Sequence, residues 1–178
     1  MEWNKILEHK KQTNYFSDEP VDKQLIIDIL QDLHDYCPSK QNETPYTITV
    51  LSDNGNKQIK EEIFYDSWCF SKNILDPRNT QVLAPYTLIF KSTTDHNIGL
   101  IEIGIASAFI AYSAIDKGLS IGFCECVKRN EVDLILGIGY KSTKSTYFHP
   151  LRKRVLKKKP TDEAEVPKQP METYISWL

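Results

Sequence analysis

The sequence predicts a single domain that mixes α-helices with β-strands, and three observations carry that expectation. Its 178 residues match the usual span of one domain and suffice to bury a core. Apolar residues recur at helical spacing in some segments and alternate, with β-branched enrichment, in others. Composition is that of an ordinary globular chain, 40% apolar and 26% charged, which argues against disorder of the whole.

Trp3, Ile6 and Leu7 stand at helical spacing within Met1 to Lys10, and Gln12 to Pro20 reads as an extended link. From Val21 to Cys37 the positions Val21, Leu25, Ile26, Ile29, Leu30, Leu33 and Tyr36 form a stripe that a helix can bury. Asp22 is its expected N-cap, Val21 and Ile26 its hydrophobic staple, and Pro38 its stop. Four segments read as strands: Tyr46 to Leu51, Tyr86 to Phe90, Leu119 to Val127 and Val132 to Tyr140. Lys57 to Lys72 carries Ile59, Ile63, Phe64 and Trp68 in a helical pattern, with Asn54-Gly55 as a turn before it. Ile98 to Ile115 is nearly continuously apolar and approaches the length of a membrane span. Glu102, Ser107 and Ser113 interrupt it and no second apolar span accompanies it, so it reads as a helix buried on most sides.

A net charge of −2 gives no global field toward nucleic acid or membrane. The N-terminus lacks the basic start and apolar run of a signal peptide, and a cytoplasmic address is the expectation. Cys37, Cys69, Cys124 and Cys126 have no CxxC spacing, so reduced structural thiols are expected, with Cys124 and Cys126 on one face of a strand. None of the four histidines stands at a metal-ligand spacing. No nucleophile–base pair, Walker loop or HExxH motif is present. Arg152 to Lys159 holds six basic residues in eight, but Asp162, Glu163 and Glu165 follow and no aromatic platform accompanies the run, which disfavours nucleic acid. The chain ends Tyr174-Ile-Ser-Trp-Leu178, too apolar for a free tail, and is expected to dock on its own subunit or, preferably, on a partner.

Pro38-Ser39-Lys40-Gln41-Asn42-Glu43-Thr44-Pro45-Tyr46 is the stretch whose order carries most meaning. It resembles the Pro-Ser-Ser-x-Asn-x-Gln-Pro-Trp loop of the nitroreductase family of FMN flavoproteins. Pro38, Ser39, Asn42 and Pro45 match; Tyr46 stands for the Trp, and Lys40 and Thr44 depart. Further segments resemble the family in order. Lys10-Lys11-Gln12-Thr13-Asn14-Tyr15-Phe16 occupies the place of the basic Arg-x-Ser-x-Arg/Lys-x-Phe opening, with Gln12 for Ser and Asn14 for the second base. Leu83 to Phe90 resembles the Ala-Pro strand, and Gly118 to Gly122 the Gly-Leu-Gly turn after the small-residue helix. Arg152-Lys153-Arg154 stands where the family grips the flavin phosphate.

The resemblance implies an α+β fold, a mainly antiparallel four- to five-stranded sheet flanked by helices, in an intertwined homodimer with FMN at the interface. Residues 1–155 would form the FMN-binding domain and 156–178 an arm docking on the partner subunit. NADH or NADPH would reduce the flavin, which would then reduce a nitroaromatic, quinone or related acceptor. Lys10, Arg152 and Arg154 are the implied phosphate ligands, since charge-assisted hydrogen bonds neutralise its roughly two negative charges. Gln12, Asn14, Ser39 and Asn42 would bond the ring's polar edge, with Pro38 fixing the loop. Positive charge near N1 stabilises the reduced anion; with Asn14 uncharged, Lys11, Lys40 or Arg78 would supply it, beside Asn79. The departures at Gln12, Asn14, Lys40 and Thr44, and the short Val127 to Val132 connection, motivate an alternative: a degenerate dimer with weak or no FMN binding, acting as an interaction or regulatory protein.

Overall fold

Four strands, β1 (Tyr46–Ser52), β2 (Tyr86–Ser92), β3 (Ser120–Cys124) and β4 (Leu134–Gly139), form one antiparallel sheet in the order β1-β2-β4-β3. Helices α1 (Trp3–His9), α2 (Lys23–Tyr36), α3 (Asp53–Tyr65) and α4 (Asn97–Asp116) accompany it, giving the expected α+β class. The computed structural model describes residues 2–9, 12–65, 80–125, 132–142 and 170–175. Met1–Lys144 form one compact unit and Ser145–Leu178 a second. Of the latter, the described part holds a 3₁₀ turn, Met171–Thr173, with Met171, Tyr174 and Ile175 exposed. Trp177 and Leu178 lie outside the described residues, as do Cys69 and Cys126.

The sheet carries apolar cover on both faces because side chains alternate along each strand. Leu88, Phe90, Ile121, Leu136 and Ile138 join α2 and α4 in the larger core, through Ile29, Leu33, Ile103 and Ile110. On the other face Leu51, Cys124 and Ile135 meet Ile63 and Phe64 of α3 and Val82 of a 3₁₀ turn, Thr80–Leu83.

Asp22 caps α2 through a 2.9 Å bond from the Gln24 N–H, while Val21 and Ile26 are both buried at the staple positions. Across to α4, Asp32 accepts from Lys117 Nζ at 2.6 Å and Ser113 Oγ at 2.7 Å. The Lys117 bond chiefly, with Ser113, holds its carboxyl below the ordinary 3.8. A depressed carboxylate contributes stability above the unfolded value and loses it as pH falls through the folded one. Asp32→Asn is therefore expected to cost about 0.5–1 kcal/mol near neutrality, the scale of a partly exposed ion pair. In urea melts its deficit should shrink toward zero below pH 3.8.

Two expectations for α3 are corrected. The Asn54-Gly55 turn lies inside the first turn of α3, which starts at Asp53; its irregularity is at Asn56, whose Oδ1 accepts the Ser52 N–H at 3.2 Å. The buried face of α3 is also rotated from the apolar pattern. Ile59 is exposed while Lys60 is buried, with its ammonium donating to Asp53 and to the Ala84 carbonyl. Burial pushes the Lys60 pKa down, against the opposing pull of Asp53.

Helix α4 is long and apolar enough to cross a membrane by length and composition, yet half of that stretch is buried within the fold. Gly118, at φ +80°, closes the helix, its N–H reaching the Ile115 carbonyl at 2.9 Å. Burial on most sides is the third correction: Leu100, Ile101, Gly104 and Ile105 form a bare face.

Glycines on β3 and β4 admit the Thr80–Leu83 turn. A β-carbon on Gly137 would lie 2.3 Å from the Gln81 carbonyl oxygen, and one on Gly122 2.0 Å from that of Thr13. Because backbone cannot swing aside as a side-chain tip can, Gly137→Val should destabilise by about 3 kcal/mol, the upper end for overpacking. A thermal melt close to wild type would contradict that packing.

Candidate functional site

Residues 12–17 run along the outer edge of β3 and onto the end of β4. The Thr13 N–H bonds the Ile121 carbonyl at 2.9 Å, the Ser17 N–H that of Tyr140 at 2.8 Å, and Phe16 bridges Lys141. Gln12 completes the pairing with its side chain: Nε2 donates to the Phe123 carbonyl at 2.7 Å and Oε1 accepts the Phe123 N–H at 3.0 Å. Its amide thus substitutes for a strand residue. Asn14 accepts from Gln81 Nε2 at 2.7 Å, and its carbonyl takes the Thr80 hydroxyl. Gln81 is 3% exposed, and its Oε1 is the buried side-chain acceptor without a partner among the described residues.

The loop between α2 and β1 is built differently. Gln41, Asn42 and Thr44 have φ of 57°, 56° and 41°, a left-handed backbone that costs about 1–3 kcal/mol at a non-glycine residue. Local bonds offset part of that cost. Ser39 Oγ accepts the Thr44 N–H at 3.0 Å, and the Asn42 and Glu43 N–H groups reach the Ser39 and Lys40 carbonyls. Among the described residues two bonds tie the loop to other elements: Thr93 N–H to the Pro45 carbonyl at 3.0 Å, and Lys40 N–H to Glu102 Oε1 of α4 at 2.7 Å. Pro38, Lys40, Gln41 and Asn42 are exposed and Ser39 partly so.

Cys37 and Tyr46 flank the loop, and both have pKa values pushed up. Burial is the main cause for each; Glu102 adds to the thiol, and Cys37 and then Glu102 to the phenol. Both are neutral near pH 7, and Cys37 is a poor nucleophile.

These two segments do not meet within one chain. Loop 38–45 leads into β1 at one edge of the sheet and residues 12–14 cover β3 at the other. Three interstrand steps separate them, about 14 Å at the usual spacing.

Neither a family model nor a curated protein matches the sequence. Solved structures do. The FMN and NADPH-dependent nitroreductase NfnB from Sphigopyxis sp. strain HMH superposes with a TM-score of 0.72 at 14% identity, over 100% of this chain and 99% of the other. A nitroreductase family protein from Clostridium novyi NT gives 0.66 at 20% identity, over 79% and 87%. Iodotyrosine deiodinase bound to FMN and 3-iodo-L-tyrosine gives 0.62 at 17%, over 81% and 92%. This chain has the nitroreductase fold.

Within that nitroreductase fold, Gln12, Asn14, Pro38, Ser39, Lys40 and Asn42 are placed as above, while Lys10, Lys11, Arg78, Asn79, Arg152 and Arg154 lie outside the described residues. The described groups suit the polar edge of a flavin, which presents carbonyl and ring-nitrogen acceptors and one N–H donor. Ser39 keeps its hydroxyl proton for a ligand because its oxygen already accepts from Thr44. Exposed Lys40 and Asn42 add donors, whereas the unpartnered Gln81 oxygen is buried and is not presented to a ligand. Sequence reasoning did not find Gln81, for which no local signal exists, nor the role of Glu102. For the latter a signal was there, a lone carboxylate in an apolar run.

Proposed function

We propose that this protein is an FMN-dependent NAD(P)H oxidoreductase of the nitroreductase family that works as a homodimer in the cytoplasm. The observation carrying this reading is the split of the candidate contacts between opposite sheet edges: a second copy would bring loop 38–45 of one subunit to the 12–14 segment of the other. The bare α4 face suits that second copy, since Leu100, Ile101 and Ile105 are exposed and the space around Gly104 is open, which favours close helix approach. Residues 156–178 would form an arm docking on the partner, beyond a flavin-binding domain of residues 1–155.

When bound, FMN would supply the redox step, taking hydride from NADH or NADPH and passing electrons to a nitroaromatic, quinone or related acceptor. Lys10, Arg152 and Arg154 would neutralise its phosphate. Ser39 and Asn42 would hold the ring's polar edge; Lys40, Lys11 or Arg78 would place positive charge there, with Asn79 nearby. Gln12 would act by fixing the segment, because its amide is committed to Phe123.

That commitment, with the Asn14–Gln81 pair, also favours the second reading, a degenerate dimer of the same fold with weak or no FMN binding. Sedimentation with flavin quantitation separates them. The enzyme reading expects a dimer carrying two FMN, identified by mass after denaturation; a flavin-free dimer supports the degenerate reading, and a flavin-bearing monomer contradicts the shared site.

A further inference from the structure

We infer that Glu102 is a positioning residue for the cofactor loop: its buried carboxylate clamps residues 39–44 to α4 and so sets where Ser39, Lys40 and Asn42 are presented. The inference rests on the flavoprotein reading above for its functional half, and on geometry alone for its structural half.

Glu102 is 3% exposed in a helix whose other buried residues are Gly99, Ile103, Ala106, Ser107, Ile110, Ala111, Ala114 and Ile115. A carboxylate is expensive in such surroundings unless it is hydrogen-bonded, so its presence calls for a partner. The partner is a backbone N–H, that of Lys40, at 2.7 Å, a charge-assisted bond. Its position matters because Lys40 immediately precedes the left-handed residues Gln41 and Asn42. Strained backbone persists only where the surroundings over-determine it. Bonds from Thr44 to Ser39, Asn42 to Ser39 and Glu43 to Lys40 are internal and travel with the loop. The Glu102 bond reaches from another element, 62 positions along the chain. Because Glu102 adjoins exposed Ile101, one helical turn carries both the clamp and part of the bare face proposed to meet the second subunit. Helix seating and loop position are thereby linked.

Hydrogen exchange on the flavin-free full chain tests the clamp, and fluorescence titration with FMN tests its consequence. Glu102→Ala is expected to accelerate amide exchange across residues 39–44 at least tenfold, to leave β2 and β4 unchanged, and to raise the FMN Kd at least tenfold. Glu102→Gln keeps an acceptor oxygen of the same reach and should stay within about threefold of wild type in both readouts. If Glu102→Ala does not fold, the bond can be broken from its other end. Lys40→Pro removes the N–H while Lys40→Ala removes only the ammonium, so exchange should accelerate in the first and not the second. Unchanged exchange in Glu102→Ala, or in Lys40→Pro, overturns the clamp. Faster exchange with an unchanged FMN Kd overturns its role in presenting the cofactor residues. A wild-type chain that binds no FMN sinks the flavoprotein reading instead, and the exchange data then still decide the clamp.

Discussion

Replacing Arg152 and Arg154 together by alanine is expected to weaken FMN binding by at least a hundredfold, with little change in melting temperature of the flavin-free chain. The magnitude is that of the two charge-assisted hydrogen bonds the proposed phosphate site would make, each worth about 1.5–3 kcal/mol, where 1.4 kcal/mol is a factor of ten. Equilibrium dialysis against FMN measures it, and riboflavin serves as internal control. Lacking the phosphate, riboflavin should bind wild type and the double variant with similar affinity. An FMN Kd unaltered by the double substitution would remove both arginines from the phosphate site.

Leu100→Glu combined with Ile105→Glu is expected to convert the proposed dimer to monomer and to abolish flavin binding in the same step. Both side chains are on the exposed face of α4, 52% and 40% accessible in the single chain, so the substitutions leave the core of the subunit intact. At a contact between two copies, four carboxylates would be brought together with no partner, and unpaired buried charge is strongly destabilising. Because the two candidate segments flank opposite edges of the sheet, a monomer would offer a flavin only one of them. Sedimentation velocity and FMN titration read the two effects. A monomeric variant that still binds FMN like wild type would contradict a site shared between subunits.

The helices and strands were legible in the chain to different depths. Alternation in Tyr46 to Leu51 and in Tyr86 to Phe90, and the stripe from Val21 to Tyr36 with its Asp22 cap, are local signals, and each marks an element of the fold. Sheet order is not local: that β4 lies between β2 and β3 depends on pairings across the whole unit. The separation of loop 38–45 from residues 12–14 was therefore invisible in local signals, and only the family resemblance implied it, by placing FMN at a dimer interface. On α4 an almost unbroken apolar run has no period, so the sequence could not say which side stays bare. The burial of Lys60 in place of Ile59 reads against periodicity, because hydrogen bonds to Asp53 and the Ala84 carbonyl compensate the ammonium. Loop 38–45 was marked by its prolines, Ser39 and Asn42, but its anchor on Glu102 lies on another element.

The most direct test of the account is the visible spectrum of the purified full chain after FMN is added and excess removed, recorded before and after NADH or NADPH under nitrogen. A flavin oxidoreductase is expected to be yellow, to bleach on addition of one of the two nucleotides, and to regain colour with a nitroaromatic or quinone. A colourless protein that retains no FMN would contradict it.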